Sequence, residues 1–197
     1  NMVTFHTPNP MYGLGSKDGL EPISEFYFWS LLMDQSNSYE VPFNIYNDSL
    51  SAKILVPGIA SGVLVGGNLS LICSVMGSKY EIKTANSILF IEDIGESPYR
   101  IDRYLQELKL AGKFDDLNGL IIGRFSRRQS EEPDKPTDFK MEEVFSQYFS
   151  NLKVPVIYDF PAGHGSKNIS IPFGVKVEIN TENQLFKLLE SPLSANK

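Results

Sequence analysis

The chain is poor in the side chains that build redox and metal sites. It has one cysteine and two histidines in 197 residues. Cys73 has no partner for an internal disulfide, which suits a reducing compartment. Three such side chains in all leave little from which to build a zinc site. No apolar run approaches the ~20 residues of a membrane-spanning helix, and no basic-then-apolar segment opens the chain. Basic residues are in deficit: 18 Lys and Arg stand against 24 Asp and Glu, a formal net charge of −6 that repels phosphate backbones. Internal repeats and low-complexity tracts are also absent. These deficits fit a reducing cytoplasm and argue against a zinc site, a nucleic-acid partner and a membrane span. What is present is ordinary for a folded domain, with 42% hydrophobic and 21% charged residues in a chain long enough to bury a core.

The punctuation of the chain predicts alternating strands and helices. MVTFHTP has the apolar alternation of a strand, and the Pro/Gly-rich TPNPMYGLGSKDG after it reads as a linker. SEFYFWSLLM predicts a core-packing helix with Phe26, Trp29, Leu32 and Met33 at helical spacing. KILVPGIASGVLVGG reads as two short strands broken at Pro57-Gly58. Asn68 then caps a short helix with Leu69, Ile72, Cys73 and Met76 on one face, stopped by Gly77. Cys73 on that face is expected to be a packed thiol and no nucleophile.

SILFIED is a near-continuous apolar run, as for a strand buried on both faces, and it places Glu92 and Asp93 at its carboxyl end. Ser97, Pro98 and Gly112 mark the start and stop of a helix whose buried face would be Ile101, Tyr104, Leu105, Leu108 and Ala111. NGLIIGRF is a strand, RRQSEEPDKPTD a solvated loop, and Met141, Val144, Phe145, Tyr148 and Phe149 the stripe of a further helix. VPVIYDF is a strand that leads into FPAGHGSKN, and GVKVEINTENQLFKLLE a hairpin around Asn180–Asn183. With alternation in the middle and hairpin-like pairs at both ends, the expected fold is α/β, with a mixed, strongly curved or barrel-like sheet and flanking helices.

Ligand sites in α/β sheets lie beyond the carboxyl ends of strands. Glu92 ends one strand and His164, set between two glycines, follows another. On neighbouring strands the carboxylate would fix the ring tautomer and stabilise the imidazolium. The flanking glycines allow close backbone approach and φ values that other residues avoid. On spacing alone, an exposed turn histidine and a helix-proximal acid are the simpler reading. Spacing also does not rank Glu92, Asp93 and Glu96, and a carboxylate dyad of the glycosidase type stays open.

The strings GVLVGGNLSLICSVMGSKYE, ILFIEDIGESPYRIDRYLQELKLAGKFDDLNGLIIGRF and PVIYDFPAGHGSKNISIPFGVKVEI resemble the C-terminal half of the LD-carboxypeptidases. These are cytoplasmic serine peptidases of peptidoglycan recycling, related to the microcin-immunity peptidases. The resemblance covers residues 54 to 180, and VTFHTP resembles a strand at the end of the family's N-terminal domain, with Thr7 where glycine is usual. It implies a Ser–Glu–His triad, acting without metal or cofactor, in which Glu92 of IED orients His164 of AGH, the general base. Asp93 and Glu96 become neighbours that shape the site, and Tyr99-Arg100 build the adjoining helix end. The fold implied is the family's swivelling β/β/α module.

The nucleophile is where the sequence departs from the pattern. The family's serine lies upstream of the strand that VTFHTP resembles, and no G-x-S-x-G elbow occurs here. Ser16, Ser61 and Ser166 each read as turn or surface serines. Residues 1–20 are therefore expected to be a remnant of the N-terminal domain with its linker, and residues 21–197 the C-terminal domain, with the nucleophile domain absent from this chain. The expected activity of the whole is removal of the terminal D-alanine from a murein tetrapeptide, with the isolated chain inactive. A microcin-immunity-type peptidase and a non-catalytic peptide-binding module are the alternatives. The missing N-terminal domain and a second copy, as homodimer, are the expected protein partners.

Overall fold

The computed structural model describes residues 2–11, 13–33, 39–46, 51–126 and 140–193. Among them the expected α/β architecture is present: a large mixed sheet flanked by helices. In chain order the elements are β1 (Thr4–His6), α1 (Pro22–Met33), β2 (Glu40–Pro42), β3 (Lys53–Val56), β4 (Ile59–Asn68), α2 (Leu69–Ser74) and β5 (Ser87–Ile94). Then follow α3 (Pro98–Leu110), β6 (Gly119–Ser126), α4 (Met141–Phe149), β7 (Val156–Tyr158), β8 (Ile171–Phe173), β9 (Lys176–Asn180) and β10 (Leu185–Leu188).

Eight strands form one sheet in the order β2-β10-β9-β4-β5-β6-β7-β3, and β1 pairs with β8 in a separate two-stranded ribbon. The run β4-β5-β6-β7 is parallel, which brings the carboxyl ends of those strands to one edge. The ladders at β9, β10, β2 and β3 are antiparallel.

The sheet centre follows from composition. β5 is buried from Ser87 to Asp93, because helices or strands cover both of its faces. Its side chains alternate between two cores. Ile88 and Phe90 pack with Tyr27 and Leu31 of α1 and with Val177, Ile179 and Phe186 of the terminal hairpin. Leu89 and Ile91 pack with Leu69, Ile101, Leu105 and Phe149 of α2, α3 and α4. This alternation at a period of two sends successive side chains of β5 to different neighbourhoods.

Most punctuation signals act where the sequence places them. Asn68 caps α2, its Oδ1 accepting from Leu71 N at 3.1 Å. Pro98 opens α3, Gly112 follows it at φ +68°, and Ile101, Leu105 and Leu108 are buried. Tyr104 is only half-buried and Ala111 is exposed, so the buried face of α3 is narrower than expected. Ser97 holds the cap position through its carbonyl, which accepts from Arg100 N and Ile101 N, and its hydroxyl makes no cap bond. The terminal hairpin of β9 and β10 is as expected. The loop expected over residues 127–138 lies outside the described residues.

One expectation is corrected. The helix at α1 exists, but it buries Ser24, Tyr27, Phe28 and Leu31, whereas Phe26, Trp29 and Met33 are exposed and Leu32 is half-buried. The segment is apolar nearly all round, so periodicity does not select a face, and the polar anchor at Ser24 described below does. The two strands broken at Pro57-Gly58 are present, and they do not pair with each other: β3 pairs with β7, while β4, ten residues long, pairs with β5 and β9. β3 and β4 stand four places apart in the ladder. On a flat sheet that is about 19 Å, more than two linking residues span.

Candidate active site

Asn68, Glu92 and Asp93 come together where the parallel strands β4 and β5 end, because β4 pairs with β5 in register as far as Asn68 opposite Glu92. β6 ends beside them and carries Arg124, which bridges Gly163 of the loop after β7. That bridge sets the loop beside Glu92. Arg124 N donates to Ala162 O at 2.9 Å, and Arg124 Nη1 to Lys167 O at 2.9 Å. Gly163 has φ +137°, and a Cβ there would lie 2.8 Å from Arg124 O and 3.4 Å from Glu92 Cβ. Close approach thus requires glycine at 163.

His164 follows and turns its Nδ1 to Glu92 Oε2 at 2.6 Å. The carboxylate only accepts, so Nδ1 carries the proton and Nε2 is left with a lone pair. Glu92 is 1% exposed, while the His164 side chain is 40% exposed. The hydrogen bond from His164 to Glu92 raises the histidine's pKa above the ordinary 6.5 against the opposing effect of burial, with added charge attraction from Glu92 and Asp93. A partly exposed, basic imidazole backed by a buried carboxylate is suited to take a proton from a nucleophile and hold it.

The three acids that spacing does not rank have different partners. Asp93, 2% exposed, faces away from His164 and serves the helix: its oxygens accept from Asn68 Nδ2 at 2.8 Å, Ser70 N at 2.9 Å and Ile94 N at 2.8 Å. Glu96 pairs with Arg100 one turn on, at 3.3 Å. Glu92 alone of the three meets the imidazole.

Two further residues were not legible as part of this site. Ser24 is fully buried at the start of α1, and its hydroxyl accepts from Asn168 N at 2.9 Å and lies 2.9 Å from Glu21 Oε2 and 3.3 Å from Ser166 O. Asn168 Oδ1 in turn accepts from Gly163 N at 3.0 Å. α1 therefore braces the histidine loop through one serine. The second is His6 on β1, whose Nε2 lies 3.9 Å from Glu92 Oε1. The one available signal was scarcity, since both histidines of the chain converge on the same carboxylate.

An open cleft of about 830 Å3 lies over the pair, lined by His6, Pro8, Glu21, Gly163, His164 and Asn168 among others. The linker after β1 forms its far wall. Of the serines weighed from the sequence, Ser166 lines the cleft, Ser61 sits in β4 near its amino end, and Ser16 bonds to Gly13 O and Gly19 O within a turn. Cys73 is buried, with burial pushing its thiol up to about 12. Among the described residues no group of three His, Cys, Asp or Glu side chains is arranged to hold a metal, and no helix is long and apolar enough to cross a membrane.

The sequence model of the LD-carboxypeptidase C-terminal domain matches residues 61–179. A Bacillus subtilis (strain 168) protein named "Probable murein peptide carboxypeptidase" is 36% identical over 180 residues, which is 91% of this chain and 54% of that protein. The murein tetrapeptide carboxypeptidase of Pseudomonas aeruginosa is 32% identical over 114 residues, 57% of this chain and 36% of that protein. Among solved structures, the microcin C7 self-immunity protein MccF in its wild-type apo state superposes with a TM-score of 0.81 at 24% identity, over 98% of this chain and 62% of that one. That last likeness is one of fold. The chain spans about half or less of the length of the two carboxypeptidases it matches.

Proposed function

The chain belongs to the LD-carboxypeptidase family, and from that premise we propose that it is the C-terminal catalytic half of a serine-type peptidase that removes the terminal D-alanine from murein tetrapeptides. The observation that carries this reading is the 2.6 Å contact between Glu92 Oε2 and His164 Nδ1 at the edge of an open cleft. His164 is the general base, and its Nε2 takes the proton of a serine hydroxyl as that oxygen attacks the scissile carbonyl. Glu92 keeps the proton of the ring on Nδ1 and offsets the imidazolium charge. The imidazolium then returns its proton to the leaving amine of D-alanine, and an acyl-enzyme remains for water to cleave.

In this reading the serine and the oxyanion donors belong to an N-terminal domain, the part of the relatives that this chain does not span. A cytoplasmic setting in peptidoglycan recycling and a homodimeric state go with it. A microcin-type substrate is the second reading, favoured by the likeness in fold to MccF. A non-catalytic peptide-binding module is disfavoured by the intact pair of Glu92 and His164.

The test is a chimera that joins this chain to the N-terminal part of the Bacillus subtilis relative, assayed for D-alanine release from a murein tetrapeptide and for cleavage of a microcin-type peptidyl nucleotide. Release of D-alanine that His164→Ala abolishes supports the proposal. Cleavage of the nucleotide substrate alone moves the function to the second reading. No hydrolysis by a folded chimera, when the relative itself is active, overturns both.

A further inference from the structure

Glu92 is a buried carboxylate with few partners. It is 1% exposed, and the groups that face its oxygens are two imidazoles: His164 Nδ1 at 2.6 Å from Oε2 and His6 Nε2 at 3.9 Å from Oε1. A buried carboxylate ion with one hydrogen bond is costly, and such groups ordinarily take two or three donors. Across the gap, His6 Nε2 is a buried nitrogen with no hydrogen-bond partner among the described residues. A buried ring nitrogen and an underserved carboxylate oxygen therefore face each other. Hydrogen bonding needs about 2.9 Å, roughly 1 Å less than the present separation, and contacts of this kind tighten when a site closes on its substrate.

We propose that His6 is a positioning residue for the Glu92–His164 pair, with its Nε2–H as the second donor to Glu92. The inference rests on the reading of that pair as catalytic. Three features of the site suit it. First, a bare ring nitrogen would turn its lone pair on an anion, so the tautomer that fits carries the proton on Nε2. Second, the ring is aimed: its plane stands at 80° to Phe90 with centroids 5.5 Å apart, and Phe173 lies 6.4 Å away on β8. Its own strand holds it there, since β1 pairs with β8 with His6 opposite Ile171. Third, burial lowers the pKa of His6, opposed by Glu92 and assisted by His164, so the ring donates while neutral. A neutral donor steadies Glu92 without adding a second positive charge that would weaken His164 as a base.

The bland account of His6 is an aromatic ring that fills space against Phe90. The two accounts differ in where the proton is and in what removing it does to His164. The titratable groups that act on the two imidazoles are Glu92 on both, Asp93 on His164 by charge alone from the other face of β5, and His164 on His6. With two histidines in the chain, a 15N-histidine-labelled sample shows two imidazoles, which His6→Gln assigns at once. The expected result is a neutral His6 in the Nε2–H tautomer. His6→Phe, which keeps a ring against Phe90, should move the titration of His164 upward, because Glu92 loses a donor and holds the imidazolium more tightly. His6→Gln, which offers an N–H where Nε2 stood, should move it less. An Nδ1–H tautomer of His6 overturns the proposal without any variant. So does a His164 titration that is the same in wild type and His6→Phe. Neither readout depends on turnover, so loss of the D-alanine reading in the chimera and loss of this inference are separate outcomes.

Discussion

Glu92 and Asp93 are consecutive on β5 and serve opposite faces of the sheet. Glu92 lies on the side of Ile88 and Phe90 and meets His164 at 2.6 Å. Asp93 lies on the side of Leu89 and Ile91, where it holds Asn68 and the first turn of α2. One strand thus delivers one carboxylate to the imidazole and the other to the first turn of α2 by pleat alone.

Substitution should separate the two roles. Asp93→Ala leaves Ser70 N, Ile94 N and the Asn68 amide without their buried acceptor, so it should destabilise the chain by about 2–3 kcal/mol. Glu92→Gln should leave the fold nearly intact, lower the His164 titration toward the ordinary histidine value, and cut turnover in the D-alanine chimera by ~10²–10⁴-fold. Urea unfolding checks the first, and histidine titration with turnover checks the second. Equal loss of stability in both variants would contradict the division of labour.

The two glycines around His164 should respond unequally to alanine. Both have φ in the left-handed range, +137° and +142°. At Gly165 the added Cβ meets nothing within 4 Å, so the backbone conformation is the only cost, roughly 1–2 kcal/mol. At Gly163 the Cβ falls 2.8 Å from Arg124 O and 3.1 Å from Arg124 N, so the bridge between β6 and the loop must open as well. Gly163→Ala should be the more destabilising and should displace His164 from Glu92. Unfolding midpoints of the two variants decide it.

The uneven legibility of this chain has physical causes. SILFIED announces a central strand because a run buried on both faces has no polar positions to blur it, and Asn68, Pro98 and Gly112 mark boundaries through backbone chemistry that acts locally. β2 and β8 have three residues each, too few for a period to form, and they exist because a partner strand passes by. Periodicity points to the wrong face of α1 because apolar residues surround the helix, while the position that fixes its rotation is a serine. The Glu92–His164 pairing was reachable through family resemblance to two short motifs. The convergence of His6 on the same carboxylate was not, since it depends on a strand pairing between residues more than a hundred and fifty positions apart, His6 opposite Ile171.

The two histidines should act on stability with opposite sign. His164 has its folded pKa raised above 6.5 by Glu92, so the folded chain holds the proton more tightly than the unfolded one. Its contribution is fully present below the ordinary value and is lost as pH rises through the raised one. His6 has its folded pKa lowered by burial, so the unfolded chain takes up the proton first, and stability falls as pH drops below about 6.5. His164→Gln should flatten the alkaline limb of a stability–pH curve and leave the acidic limb. His6→Phe should flatten the acidic limb and carry the alkaline limb to higher pH with the His164 titration. Unfolding midpoints from pH 5 to pH 9 at fixed ionic strength test both, and an alkaline limb unchanged in His164→Gln would refute the assignment.

A fluorophosphonate probe should not label this chain stoichiometrically. Such probes report a serine whose hydroxyl is free, exposed and within reach of a general base. Among the described residues, the serine most tightly linked to the His164 loop is Ser24, and its hydroxyl is fully buried and bonded to Asn168 N, Glu21 and Ser166 O. Ser16 spends its hydroxyl on two carbonyls of its own turn. Ser170 is buried, and Ser61 lies in β4 opposite Glu178 of β9, away from the carboxyl edge where Glu92 stands. Ser166 is two residues beyond His164 on the same loop and outside any strand–turn–helix elbow of the kind that exposes a nucleophilic serine. Mass spectrometry of the intact chain after probe treatment is the measurement. The chimera with the relative's N-terminal part should label, and His164→Ala should prevent it. One probe per isolated chain, mapped to any of these serines, would show that this chain carries its own nucleophile and that the division of the triad between two domains is wrong.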